Sequence, residues 1–423
     1  MIVGGTVRVP GDKSLTHRAL LLGAITPGTS HVGGALTSLD ARSSARVLRR
    51  LGADVSPLRP DALVTIRGRR RFHRPSTRLD CGNSGTTTRL LLGLLAAHRF
   101  SATLTGDGSL RRRPMRRVTL PLGRMGARFT ELAGSDGLPL EIRGGPLVPL
   151  RYEMPVSSAQ IKSALLLAGL AGGVEVALRE PHGRSRDHTE RMLRAFGYRV
   201  DERDGWIEFA PTGRLEPFSM QVPGDPSSAA FLVGAAVLAE GGELRIAGVG
   251  LNPTRIGFLD VLRRMGARPA AKNVETRYGE PVGDLVIAPA ALIGTEVGAG
   301  EIPGLIDEIP LLAALASRAA GTTTFRQVGE LRVKESDRLG LIAANLRAIG
   351  ARAEVVGDDL HVEGGGAPPR GPVRTAGDHR LAMAFAVLAT VRGARVTVDD
   401  MACAAVSFPG FPATLRSIQR RAR

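Results

Sequence analysis

The sequence predicts an α/β protein of two domains whose helices are buried inside and whose sheets lie outside, the reverse of a barrel with external helices. Three observations predict it. A short tag ends a helix six times along the chain, about seventy residues apart. A second motif returns half a chain later. The helices between tags are apolar or small nearly all round, which places them in an interior and not on a surface. Self-similarity at a fixed period means repeated supersecondary units, none able to bury its apolar face alone.

The tags read Leu48-Arg-Arg-Leu-Gly-Ala53, Leu122-Gly-Arg-Met-Gly-Ala127, Leu193-Arg-Ala-Phe-Gly-Tyr198, Leu262-Arg-Arg-Met-Gly-Ala267, Leu346-Arg-Ala-Ile-Gly-Ala351 and a degenerate Leu415-Arg-Ser-Ile-Gln419. The echo is Val9-Pro-Gly-Asp-Lys-Ser14 against Val222-Pro-Gly-Asp-Pro-Ser227. Two halves of three units each is the simplest reading, and a cleft between similar halves is a natural place for a small-molecule site.

Taken in order, Met1–Val9 reads as a strand and not as a signal peptide. Period-two alternation marks strands at Val64–Arg67, Ala102–Thr105, Leu138–Arg143, Glu243–Ile246 and Val396–Val398. The buried helices are expected at Ala19–Ile25, Thr88–Ala97, Ile161–Leu170, Ala229–Ala239, Pro310–Ala320 and Leu381–Val391. Most follow a polar cluster: Gly11-Asp-Lys-Ser14, Gly82-Asn-Ser-Gly-Thr86, Ser157-Ser-Ala-Gln160, Asp307-Glu308 and Gly377-Asp-His-Arg380. Taken singly these are ordinary N-caps. Taken together, parallel buried helices would bring their positive ends to one face, where phosphates and carboxylates bind.

At 423 residues the chain is too long for one ordinary core. With 43% hydrophobic but only 4% aromatic residues, the cores must be built from Leu, Val, Ala and Ile. No apolar run reaches the roughly 18 residues that span a bilayer. Cys81 and Cys403 fit a reducing compartment, and the expectation is a soluble cytoplasmic protein without membrane contact. The net charge of +17 comes from scattered arginines, with clusters at Arg69–Arg71, Arg111–Arg113 and Arg420–Arg423. One Trp and three Tyr are too few for a base-stacking surface, which argues against a nucleic-acid partner. Of 57 basic side chains only Lys13, Lys162, Lys272 and Lys334 are lysine, so a compact ammonium is retained at few places.

The densest charged segment is Leu331-Arg-Val-Lys-Glu-Ser-Asp-Arg-Leu339, read as the start of an amphipathic helix with Lys334, Glu335 and Arg338 on one face. Leu305-Ile-Asp-Glu-Ile-Pro310 sets two carboxylates in an apolar run, where burial is costly unless they are paired or used. A general base and a proton donor could come from these two segments. Asp12-Lys13-Ser14 with Arg18 offers an ammonium, a hydroxyl and a guanidinium, and Arg111–Arg113 adds forks for phosphate or carboxylate. The histidines and cysteines show no metal spacing, so nothing suggests a metal site, and there is neither a P-loop nor a dinucleotide fingerprint.

From Val9 to Phe411 the chain resembles the 5-enolpyruvylshikimate-3-phosphate synthase family. The matching stretches are Gly11-Asp-Lys-Ser-Leu-Thr-His-Arg18, Gly82-Asn-Ser-Gly-Thr86, Arg113-Pro-Met115, Ser158-Ala-Gln160 and Arg186-Asp-His-Thr189, then Asp307-Glu308, Arg332-Val-Lys-Glu-Ser-Asp-Arg338, Asp378-His-Arg380 and Ser407-Phe-Pro409. The resemblance implies a two-domain inside-out α/β barrel of six βαβαββ-like repeats with buried parallel helices. It implies one domain at 11–224 and the other at 1–10 with 225–423, with crossings near Pro10 and Gly224 and a cleft that closes over ligands. It implies transfer of the enolpyruvyl group of phosphoenolpyruvate to the 5-hydroxyl of shikimate 3-phosphate, by a cofactor-free monomer.

By resemblance, Asp307 is the base, Glu335 the proton donor, and Lys13 sits between both substrates. Lys13, Gly85, Arg113, Gln160, Arg338 and Arg380 would hold phosphoenolpyruvate. Lys13, Ser14, Arg18, Ser158, Gln160, Arg186, Asp307 and Lys334 would hold shikimate 3-phosphate. Leu90, Val406 and Glu330 depart from many members and, with Arg186, are similar to the bacterial class II subgroup that includes glyphosate-tolerant enzymes, whereas Gly85 is similar to sensitive ones. A rival within the fold, the UDP-N-acetylglucosamine enolpyruvyl transferase, places a cysteine on a mobile loop; the corresponding Thr105–Pro114 has none. A DNA-encircling clamp would need basic helices where these are apolar.

Overall fold

The reason for the tag's glycine lies in the backbone. A computed structural model describes residues 1–181 and 183–420, so the basic cluster at Arg420–Arg423 falls outside them except for its first residue. In five tags the glycine is left-handed: Gly52 at φ 93°, Gly126 at 114°, Gly197 at 81°, Gly266 at 97° and Gly350 at 90°. Gly350 N then donates to Arg347 O at 3.0 Å and Ala351 N to Leu346 O at 2.9 Å, and the same pair of bonds closes the other four copies. This double bond satisfies the orphan carbonyls at a helix C-terminus, and glycine makes the turn without Cβ strain. The sixth copy has Gln419 instead, and the chain runs on into a strand at Gln419–Arg420, paired with Ile2–Val3.

Four of the tagged helices, Leu39–Arg50, Arg116–Arg124, His188–Ala195 and Gly257–Arg264, are strongly amphipathic. Each tagged helix alternates with a helix that is buried almost all round: Lys13–Ile25, Gly85–Ala96, Ala159–Gly172, Pro226–Val237, Ile309–Ala316 and His379–Leu388. Leu20, Leu21 and Leu22 are each 0% exposed. Each such leucine contributes about 1.5–3 kcal/mol, which is how an aromatic-poor chain builds its cores. Close approach is set by small residues: a Cβ at Gly93 would stand 2.0 Å from Ala164 O, on the facing helix.

Each repeat adds strands around this pair in one pattern. Leu79–Asp80 runs parallel to Ser101–Thr105, which pairs antiparallel with Leu140–Arg143, which pairs antiparallel with Arg128–Glu131. Leu150–Glu153, Val176–Arg179, Trp206–Ala210 and Arg199–Arg203 repeat it, as do Glu296–Val297, Thr322–Phe325, Asp359–Glu363 and Arg352–Val356. In the first and fourth repeats the leading strand is exchanged. Gly5–Val7 precedes the Lys13–Ile25 helix but lies against Leu244–Gly250, while Ser219–Gln221 precedes the Pro226–Val237 helix but lies against Gly28–Gly33. The sixth repeat keeps only the parallel pair Arg370–Val373 and Arg395–Val398.

The fold is mixed α/β with interior helices, as the sequence predicts. Strand pairing joins the sheets into no closed barrel among the described residues. The chain divides into two units: Met1–Pro10 with Pro223–Thr276 and Pro281 onward, and Gly11–Val222 with Arg277–Glu280. The last segment, a hairpin tip, was expected with the other unit. Glu280 Oε1 lies 2.7 Å from His188 Nδ1 and Gly279 O accepts from Arg191 Nη1 at 2.9 Å, and these contacts group the tip with Gly11–Val222.

Candidate active site

In the Gly11–Val222 unit three helix starts converge. Arg18, in the Lys13–Ile25 helix, donates Nη2 to Ser163 Oγ in Ala159–Gly172 at 2.6 Å. Gln160 Nε2 donates to Thr86 Oγ1, in the first turn of Gly85–Ala96, at 3.1 Å. Asp12 caps the first helix through Leu15 N at 2.7 Å and Ser84 caps the Gly85 helix through Thr87 N at 3.1 Å. Ser158 precedes the third without capping it, which keeps its hydroxyl off the helix end.

The cluster is cationic. Lys13 Nζ reaches Asp40 Oδ2 at 3.1 Å. Arg18 is buried, with Nε on Thr189 Oγ1 at 2.7 Å and Nη1 on the carbonyl of Ser14 at 3.0 Å. Among the described residues no carboxylate touches it directly; burial pulls its pKa down to about 10, Glu190 and Asp12 partly offset this, and Arg186 adds to the lowering. That places Arg186 within electrostatic range of Arg18. His17 lies 2.7 Å from Ser44 Oγ, and burial with the charges of Lys13 and Arg18 pulls it down to about 3, so it is neutral.

Gly85 opens its helix between two guanidiniums. A Cβ there would stand 3.3 Å from Arg113 Nη1 and 3.7 Å from Arg89 Nη1. Arg113 Nη2 is held by Asn83 Oδ1 at 2.7 Å, and Arg89 by Gln160 Oε1 and by the carbonyl of Pro114 at 2.9 Å. A helix N-terminus flanked by two such forks is a seat for an anion.

In the other unit a second set of helix starts meets, and here carboxylates lead. Ser227 Oγ donates to Glu308 Oε1, and Arg380 Nη1 lies 3.7 Å from Glu308 and its Nη2 3.7 Å from Asp307. Arg338 is 1% exposed and gathers three carboxylates: Glu335 at 2.5 Å, Asp378 at 2.7 Å and Asp307 at 3.2 Å. Burial alone would lower its pKa; Asp378, Glu335 and Asp307 more than offset this and raise it. Lys334 lies 4.0 Å from Glu330, and loss of water holds its pKa below the ordinary lysine value, a shift tempered by the 27% of its side chain still open.

One expectation is corrected. Lys334 and Glu335 are not in a helix: Gly329–Val333 is a 3-10 turn, and the helix starts at Arg338, capped by Asp337, which accepts from Gly340 N at 3.1 Å. The bent link at 334–336 turns Glu335 back onto Arg338. Sequence reasoning also missed several groups. Asp378 caps its helix through Arg380 N at 2.9 Å while holding Arg338, and it stood inside a quoted motif. Arg89, an arginine in an apolar helix, was a readable signal. Arg255, bonded to Asp225 at 3.2 Å and Ser227 at 2.9 Å, gave none.

A sequence profile of the family described as EPSP synthase (3-phosphoshikimate 1-carboxyvinyltransferase) matches residues 2–415. The chain belongs to the EPSP synthase family. It is 47% identical over 420 residues to the 3-phosphoshikimate 1-carboxyvinyltransferase of Thermosynechococcus vestitus, covering 98% of this chain and 95% of that one. The enzyme of the same name from Granulibacter bethesdensis is 48% identical over 415 residues, covering 96% and 91%. The EPSP synthase structure from Acinetobacter baumannii superposes with a TM-score of 0.86 at 38% identity, covering 99% and 96%. The enolpyruvyl transferase NikO from Streptomyces tendae, at 21% identity and TM-score 0.78, shares the fold.

As a member of that family, the chain is a shikimate-pathway enolpyruvyl transferase acting on small molecules. Among the described residues no group of three or more His, Cys, Asp or Glu is placed to hold a metal ion, and no helix is long and apolar enough to cross a membrane. Neither cysteine is a ready nucleophile: burial pushes both Cys81 and Cys403 up to about 12.

Proposed function

We propose that the two units of the chain divide the chemistry by charge. In the Gly11–Val222 unit, Ser14, Arg18, Ser158, Gln160 and Arg186 hold shikimate 3-phosphate, and Gly85, Arg113 and Gln160 receive phosphoenolpyruvate. Lys13 serves both substrates and offsets charge at the reacting carbon. The other unit supplies Asp307, which takes the proton of the attacking 5-hydroxyl, and Glu335, which protonates the methylene carbon of phosphoenolpyruvate. The hydroxyl oxygen bonds to the enol carbon, giving a tetrahedral intermediate. Loss of phosphate and of a methyl proton then restores the enol. Arg338 and Arg380 hold phosphoenolpyruvate, and Lys334 and Asp307 contact the acceptor.

The observation that carries this reading is the single buried guanidinium of Arg338, which touches both Asp307 and Glu335. Leu90, Val406 and Glu330 support a place in the bacterial class II subgroup, and the chain is taken as a cytoplasmic monomer working without a cofactor. The test is phosphate release from phosphoenolpyruvate with shikimate 3-phosphate, and with UDP-N-acetylglucosamine as a parallel acceptor. Lys13→Met and Asp307→Ala should nearly abolish release while the circular dichroism stays native. Normal turnover in either variant removes its assigned role.

A further inference from the structure

Lys162 is one of four lysines in a chain with 57 basic side chains, and none of the roles above uses it. It lies in the first turn of the Ala159–Gly172 helix with its side chain 1% exposed. Its Nζ meets Glu190 Oε1 at 2.8 Å, Glu180 Oε2 at 2.9 Å and the carbonyl of Ser185 at 3.2 Å. Three acceptors match the three donors of an ammonium. A planar guanidinium could not present its forks to this closed set, which explains a lysine where the chain otherwise writes arginine.

Glu180 Oε2 also accepts from Ser185 N at 3.2 Å. The two polar groups of the Ser185 backbone are thus held by the two members of one ion pair, immediately before Arg186. Glu180 and Glu190 are 6% and 1% exposed, so this clasp is shielded from water. Burial would lower the pKa of Lys162, but Glu190 and Glu180 more than offset that and raise it. The neighbours of the clasp point the same way. Thr189, beside Glu190, and Ser163, beside Lys162, both accept from Arg18.

We propose that Lys162 and Glu180 are positioning residues that fix the backbone carrying Arg186, and through it set affinity for shikimate 3-phosphate. The inference rests on the reading that Arg186 contacts that substrate. It does not touch phosphoenolpyruvate or the reacting atoms, so its loss should divide the kinetic constants unevenly.

The experiment is steady-state kinetics with each substrate varied in turn, on Glu180→Gln, Lys162→Met, Arg186→Ala and the Glu180→Gln/Arg186→Ala pair. Glu180→Gln keeps the shape of the clasp and serves even if Lys162→Met, which strands two buried carboxylates, does not fold. The expected result is a KM for shikimate 3-phosphate raised about five- to tenfold by Glu180→Gln, with kcat and the KM for phosphoenolpyruvate within about twofold. The pair should be no worse than Arg186→Ala alone, because both act through one contact. An unchanged KM for shikimate 3-phosphate in Glu180→Gln, additive effects in the pair, or a joint fall of all constants overturns the proposal. If Arg186→Ala itself leaves that KM unchanged, the reading of Arg186 falls first and the inference with it.

Discussion

Replacing Asp378 with asparagine tests the anchor of the carboxylate cluster. Asp378 is fully buried; it receives Arg338 Nε at 2.7 Å and Nη2 at 3.3 Å, Ser336 Oγ at 3.0 Å and the N–H of Arg380 at 2.9 Å. Breaking a buried ion pair by removing one partner destabilises by roughly 3–5 kcal/mol. Asparagine retains an oxygen for Arg380 N, and Arg338 keeps Glu335 at 2.5 Å and Asp307 at 3.2 Å. The loss should therefore fall at the lower end, about 3 kcal/mol. Alanine removes the cap as well and should lose about 1 kcal/mol more. Urea unfolding followed by circular dichroism reads both, since Trp206, the single tryptophan, lies in the other unit. In activity, an Arg338 drawn wholly onto Asp307 and Glu335 ties up both carboxylates, and kcat should fall at least about tenfold. A stability loss below about 1 kcal/mol with unchanged kcat would refute the anchoring argument, since Asp378 would then be no more than a cap.

Gly85→Ala puts a methyl group 3.3 Å from Arg113 Nη1; the KM for phosphoenolpyruvate should rise several-fold with a smaller change in kcat, and an unchanged KM would remove Gly85 from the anion seat. His17 has a folded pKa of about 3 against an ordinary 6.5. Below pH 6.5 the unfolded chain takes up a proton that the fold refuses, so stability falls by about 1.4 kcal/mol per pH unit down to pH 3 on this account; His17→Gln should flatten that slope, and equal slopes in urea titrations between pH 6 and 4 would sink the argument. Gly350→Ala, with φ at 90° and no atom within 4 Å of the new Cβ, should lose about 1–2 kcal/mol through backbone strain alone. The paired control Gly123→Ala, inside the Arg116–Arg124 helix and equally free of contacts, should instead gain about 0.5–1 kcal/mol by urea unfolding; a loss in both would mean that space and not φ decides.

What the sequence made legible was short-range. The tag could be read because a left-handed glycine and its flanking leucine lie within six positions. The interior helices could be read because lack of a polar face is a local property. Of the polar clusters read as caps, those with Asp12, Ser84 and Asp378 do cap through their side chains, as does Asp225, whereas Ser158 and Glu308 do not. What could not be read joins distant positions. Arg18 meets Thr189 and Ser163, His188 meets Glu280, and Ser227 meets Glu308. No periodicity within one segment specifies such pairs. The helical reading of Lys334 and Glu335 failed because their spacing fits a helix face, whereas the Asp337 cap starts the helix later.

The exchanged leading strands set a timetable for synthesis. Gly5–Val7 is synthesised long before its partner, which begins at Leu244, and Ile2–Val3 waits longer still, for Gln419–Arg420. At roughly 5–20 residues per second the Gly5–Val7 edge waits on the order of 12–50 seconds for its sheet. Ser219–Gln221 returns to Gly28–Gly33 before the chain leaves Gly11–Val222, so that unit can complete its strand set while the opening strand still waits. Nascent chains that have emerged to about residue 240 should therefore still hold Ile2–Val3 and Gly5–Val7 unpaired, the point at which translation speed and chaperone access bear most on yield.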